Sequence, residues 1–117
     1  MSKVFLVNEA GHDFSSAKRY GELVPITTGN INIKRPDRDL FTVKEALAEF
    51  SHKDDFLLPS GNILANIMVL GVLFTELKAK SLKLLIYNAK THDYLEHVLS
   101  FNNKELKFLR KPEGEKL

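Results

Sequence analysis

The sequence predicts an α/β domain: a three-layer, mostly parallel sheet with a C-terminal antiparallel hairpin strand. Three observations lead there. The runs Val4-Phe5-Leu6-Val7, Phe56-Leu57-Leu58 and Leu82-Lys83-Leu84-Leu85-Ile86-Tyr87 are almost wholly apolar, as suits strands covered on both faces. Stretches with helical spacing separate these runs, and strands alternating with helices argue a parallel sheet. The last strand pattern, Tyr94-Leu95-Glu96-His97-Val98-Leu99, follows its predecessor across the polar turn 88–93, as a hairpin partner does.

Each element has its own signal. After the first strand, Asp13 can cap a two-turn helix over 14–20 that Gly21 closes in the C′ position. Leu23-Val24-Pro25-Ile26-Thr27 is the second strand, and Pro25, which lacks a ladder donor, puts it at an edge. Asn30-Ile31-Asn32-Ile33 alternates like a short extra strand, and 34–39 is a charged loop. Thr42-Val43-Lys44-Glu45 is a capping-box pattern opening a helix with Val43, Ala46, Leu47 and Phe50 on its apolar face.

The stretch 54–80 organises the chain. It reads as a buried strand, the turn Pro59-Ser60-Gly61-Asn62, and a helix from Ile63 to about Lys80. That helix is apolar nearly all round as far as Phe74, so more than one side is covered, by the sheet plus a neighbouring helix or a partner subunit. Its apolar run falls short of the roughly 20 residues that cross a bilayer.

Pro25 at an edge, three apolar strands in the centre and right-handed crossovers favour the flavodoxin-like strand order 2-1-3-4-5. Ligands of such sheets bind beside the point where the order reverses, at the C-terminal strand ends. Two loops meet there: 8–13 and 59–62. The candidate ligand-binding residues are Asn8, Gly11, His12, Asp13, Thr28, Ser60, Gly61 and Asn62. Backbone N–H groups at the helix start suit an anion of phosphate or nucleotide type. His12 beside Asp13 could act as a general base, and Ser60 at a strand-to-helix turn as a nucleophile, although the Gly-x-Ser-x-Gly pattern is absent. The blander reading makes Asp13 a cap and the Ser60 turn an ordinary helix start.

The remaining motifs exclude more than they assign. Neither a P-loop nor a Gly-x-Gly-x-x-Gly fingerprint occurs. His92 and His97 have no standard ligand spacing, so no metal site is expected, and no cofactor is indicated. The chain has 117 residues, no cysteine and a net charge of +2, which excludes disulfide scaffolds and thiol catalysis and fits a cytoplasmic protein. The N-terminal apolar run is too short for a signal peptide. Residues 1–100, the single α/β domain, are charge-balanced; the surplus lies in a basic, partly flexible tail, 101–117. That distribution argues against nucleic acid as a partner of the folded body.

The stretch Val7-Asn8-Glu9-Ala10-Gly11-His12-Asp13-Phe14-Ser15-Ser16-Ala17-Lys18-Arg19-Tyr20-Gly21, with Leu58-Pro59-Ser60-Gly61-Asn62, resembles small phage and prophage α/β proteins of unassigned function. The resemblance implies a phage or bacterial cytosolic setting and no particular chemistry. Three readings follow: a small binding protein for an anionic ligand, an interaction protein that engages a host protein or nucleic acid through tail and hairpin, and a small hydrolase using His12 and Ser60. A homodimer is a further expectation from the over-apolar helix.

Overall fold

The structure, a computed structural model, describes residues 2–9, 11–101 and 105–109. Its strands are β1 (Lys3–Glu9), β2 (Glu22–Thr28), β3 (Phe56–Leu58), β4 (Ser81–Asn88), β5 (Asp93–Ser100) and β6 (Lys107–Leu109). Its α-helices are α1 (Pro36–Ala46) and α2 (Ile63–Thr75). The six strands form one sheet in the order β2-β1-β3-β4-β5-β6. β1 runs parallel to both β2 and β3, and β3 to β4; β5 is antiparallel to β4, and β6 to β5.

This arrangement overturns the predicted flavodoxin-like, mostly parallel three-layer fold. The sheet is mixed, with an antiparallel C-terminal half, and its order continues to a sixth strand. Both α-helices pack on the same face. There Val43 and Leu47, from α1 and the turn after it, join Ala65, Val69, Val72 and Leu73 of α2 against Phe5, Val7, Leu57, Leu82 and Leu84. Among the described residues, the other face has only a six-residue 3-10 helix, Ser15–Tyr20, which packs Ala17, with the preceding Phe14, on Val4, Leu6, Phe56, Leu58 and Leu85. Two turns are too few to sustain an α-helix unaided, although the Asp13 carboxylate accepts from the N–H of its first residue, Ser15, at 2.9 Å. The β4–β5 connection is a tight hairpin and brings no helix either. Lys83 instead lays its ammonium 4.4 Å from the centre of the Phe56 ring.

Three further expectations are corrected. α1 begins at Pro36, inside the expected charged loop, and the Thr42 capping box is unused: the Thr42 hydroxyl donates to the Arg38 carbonyl. Pro36 is preset for the first helical turn, and Asp37 and Asp39 favour the positive helix end. The Asn32 side chain holds the preceding turn by accepting from the Lys34 and Arg35 N–H groups. Residues 30–33 form no strand; Ile31 is buried and Ile33 exposed. α2 stops at Thr75 rather than near Lys80, because Lys78 takes a left-handed φ of 51° and the Ala79 N–H returns to the Leu73 carbonyl at 2.9 Å.

No helix among the described residues is long and apolar enough to cross a membrane. Of the tail, 105–109 is described and supplies β6; Lys104, Arg110, Lys111 and the rest of 110–117 lie outside the described residues, as does Ala10 of the first loop.

β3 is only three residues long yet sits inside the sheet, between β1 and β4. At its N-terminal end the buried Asp55 carboxylate accepts from the main-chain N–H of Lys3 (2.9 Å) and of Ser51 (2.8 Å). Asp55→Ala leaves two backbone donors without their acceptor and is expected to lower the unfolding free energy by about 2–4 kcal/mol. Asp55→Asn, which keeps one acceptor oxygen, should lose less. Urea unfolding of the two variants measures both effects.

Candidate functional site

The parallel pairing of β1 and β3 brings the loop after β1 beside the turn after β3. On the face of the 3-10 helix, these two segments and the β4–β5 hairpin enclose a crevice of about 390 Å3. Its walls are His12, Asp13, Phe14, Leu58, Pro59, Ser60, Gly61, Tyr87 and Tyr94. A wider, more open hollow at Lys18, Arg19, Tyr20 and Gly21 draws on one segment and the chain start, so fewer side chains converge there.

Of the eight predicted site residues, four line this crevice: His12, Asp13, Ser60 and Gly61. The other four do not. Asn8 is buried and turned toward β2, where its amide nitrogen donates to the Thr27 hydroxyl (2.9 Å) and the Gly29 carbonyl (3.0 Å). Gly11 makes an exposed turn at φ 68°. Thr28 ends β2 on the surface; the buried neighbour Thr27 makes the internal contacts, donating to the Val7 carbonyl at 2.7 Å. Asn62 caps α2 by accepting from the N–H groups of Leu64 (2.7 Å) and Ala65 (3.2 Å).

The turn before α2 is shaped by its contacts with β1. The Ser60 hydroxyl accepts from the Asn8 N–H at 3.2 Å and donates to the Asn8 carbonyl at 3.0 Å. Both its bonding directions therefore serve the sheet, and its hydrogen goes to a carbonyl rather than to His12. Gly61 has φ 68° and presses on the Asn8 side chain, which a Cβ there would strike. Asn66 of α2 reaches back to donate to the carbonyls of Ser60 (3.0 Å) and Asn62 (2.8 Å). The α2 start thus keeps only part of its donor capacity for an anion, since Asn62 occupies the Leu64 and Ala65 N–H groups.

Phe14, Tyr87 and Tyr94 complete the site, and the sequence reading missed all three. Tyr87 and Tyr94 stand opposite each other on the hairpin, with ring centres 5.4 Å apart. Tyr94 is buried while Tyr87 is 52% exposed. His12 meets Phe14 edge to face at 6.0 Å. The signal in the sequence is the period-two placement of both tyrosines on the face that carries Leu85, at the two ends of the hairpin turn.

Among the described residues, Asp13 is the one acid on the crevice wall, and no Lys or Arg lines it. Hydrogen bonds from the backbone and side chain of Ser15, with Lys18 nearby, hold its carboxyl below the ordinary value. The Asp13 acceptor stays ionised near neutrality. Among the described residues, no group of three or more acids and histidines could hold a metal ion.

Burial pushes the Tyr94 hydroxyl above the ordinary value of 10.0, helped by the nearby Tyr87 and Asp13 charges. A raised value means the folded state holds this proton more tightly than the unfolded chain does. The stabilising contribution is therefore complete below pH 10 and is lost as pH rises through the folded value. Ultraviolet titration of the phenolates should show one tyrosine ionising late, and Tyr94→Phe should remove that step.

No curated protein and no solved structure matches the chain. The family described as Phage Pam3 gp32-like protein matches residues 2–101, which agrees with the phage resemblance of the 7–21 and 58–62 stretches. The match takes in every strand from β1 to β5 and all the crevice residues, and the chain belongs to this phage protein family.

Proposed function

We propose that this phage-type protein binds a small ring-bearing molecule in the crevice at the strand exits. The observation that carries the reading is the convergence of four rings, His12, Phe14, Tyr87 and Tyr94, on a 390 Å3 space beside the start of α2. Ligand sites are typically 300–1,000 Å3, mostly apolar and aromatic, with a few polar groups that orient the occupant. Here the orienting groups are Gly61 and the Asp13 carboxylate.

The wall chemistry narrows the earlier expectation of an anionic ligand. A multiply charged phosphate would meet Asp13 and, among the described residues, no facing cation. A planar compound of nucleoside size, neutral or carrying one negative group directed at Gly61, suits the walls better. The exposed face of Tyr87 offers the ring a stacking surface. Hydrolysis is not favoured, because Ser60 would have to give up both bonds to Asn8.

Tyrosine emission is a suitable probe: the chain has three tyrosines and no tryptophan, and two of the three line the crevice. Nucleosides and nucleoside monophosphates should alter this emission saturably. Stacking on one aromatic ring contributes about 1–3 kcal/mol, so Tyr87→Ala should weaken binding roughly 5- to 150-fold. The substitution also removes the ring contact with Tyr94, so circular dichroism should show that the variant remains folded. No response to any ring compound at millimolar concentration would defeat the reading, as would equal binding by Tyr87→Ala.

A further inference from the structure

We infer that the crevice, as the ring-binding site proposed above, selects a guanine-type ring. Such a ring carries a carbonyl oxygen beside two N–H donors along one edge, to be met by the Tyr94 hydroxyl and the Asp13 carboxylate. Bases held singly in a pocket are told apart by hydrogen bonds to their pairing edge, whereas stacking holds any of them. Selection therefore belongs to the polar groups on the wall rather than to its rings.

Tyr94 supplies the donor. It is 4% exposed and lines the crevice. Its main chain is engaged elsewhere: the carbonyl accepts from the Tyr20 hydroxyl at 3.3 Å, and the N–H donates to Asp93 at 2.7 Å. Its own hydroxyl has no hydrogen-bond partner among the described residues, whereas a buried tyrosine usually finds one. Burial, with Tyr87 and Asp13 nearby, holds the proton on that oxygen. The planes of Tyr87 and Tyr94 lie at 62° to each other. A planar ring stacked on the exposed Tyr87 cannot also stack on Tyr94, which is left to bond through its hydroxyl.

Asp13 supplies the acceptors. Its carboxylate lies near enough to Tyr94 for the charge to act on that hydroxyl. Ser15 engages part of it, through its N–H at 2.9 Å and its side chain. A carboxylate has about four acceptor sites, so about two remain for the N–H groups of an occupant. A donor beside a pair of acceptors is the complement of guanine, whose O6 accepts while N1–H and the 2-amino group donate. Adenine would turn the bare N1 lone pair toward the carboxylate, and cytosine and uracil each offer a single donor group on that edge. A site built to bond particular N–H groups rejects analogues that lack them, because its own polar atoms are then left unpaired.

Calorimetric titration of the full chain with guanosine, inosine and adenosine tests this selection. Guanosine should bind roughly 10-fold more tightly than inosine, which lacks the 2-amino group, and adenosine more weakly still. Asp13→Asn keeps an acceptor for the Ser15 N–H but turns an amide donor toward the occupant. It should cut guanosine affinity roughly 10-fold or more without weakening adenosine, a difference that a merely structural role would not produce. Tyr94→Phe should weaken guanosine and inosine alike, roughly 5-fold. The wild-type ranking alone decides the matter if a variant fails to fold. Equal affinity for guanosine and adenosine would overturn the selection and leave the ring-binding crevice standing, as would a guanosine preference that Asp13→Asn retains. If no nucleoside binds, the selection is wrong, and ring binding is wrong with it only if every other ring compound fails too.

Discussion

The structure depends on how its shortest internal strand is held. β3 contributes three residues to a six-stranded sheet, and β1 and β4 both rely on it for continuity. Three residues of parallel ladder are a weak tie, yet the chain reinforces them from both ends with side chains. Asp55 accepts from the Lys3 N–H before the ladder begins, and Ser60 bonds both main-chain groups of Asn8 after it ends. These polar groups are partly or wholly withdrawn from water, where an unpaired donor costs about 1–3 kcal/mol. Alternative registers of β3 would orphan several of them at once.

The same arrangement fixes the crevice. Because Ser60 is tied to Asn8, and Asn8 to Thr27 and Gly29, the exits of β2, β1 and β3 form one connected unit. Asn66 secures the turn from within α2. The aromatic walls then come from segments that this unit does not contain: the 3-10 helix entry and the β4–β5 hairpin.

What could be read in the sequence was what local pattern determines. Apolar runs locate β1, β3 and β4, the polar turn at 88–93 marks a hairpin, and Pro25 lies on the outermost strand, where its missing N–H costs no ladder bond. The layering was not legible, because the 14–20 segment satisfies helix-start rules yet is too short to form more than a 3-10 turn. β6 was hidden in a charged tail whose Phe108 finds its partner on β5. Asn8 and Ser60 were recognised as a pair of loops meeting, but not as mutual hydrogen-bond partners; that contact spans 52 positions and follows no local rule. Tyr87 and Tyr94 look like ordinary strand residues until the crevice in front of them is seen.

Native-state amide exchange on Ser60→Ala tests the two-ended hold on β3 most directly. Protection at the Asn8 amide and along the β1–β3 ladder should fall, while the β4–β5 hairpin amides keep theirs. Unaltered protection at Asn8, or an equal loss over the whole sheet, would contradict it.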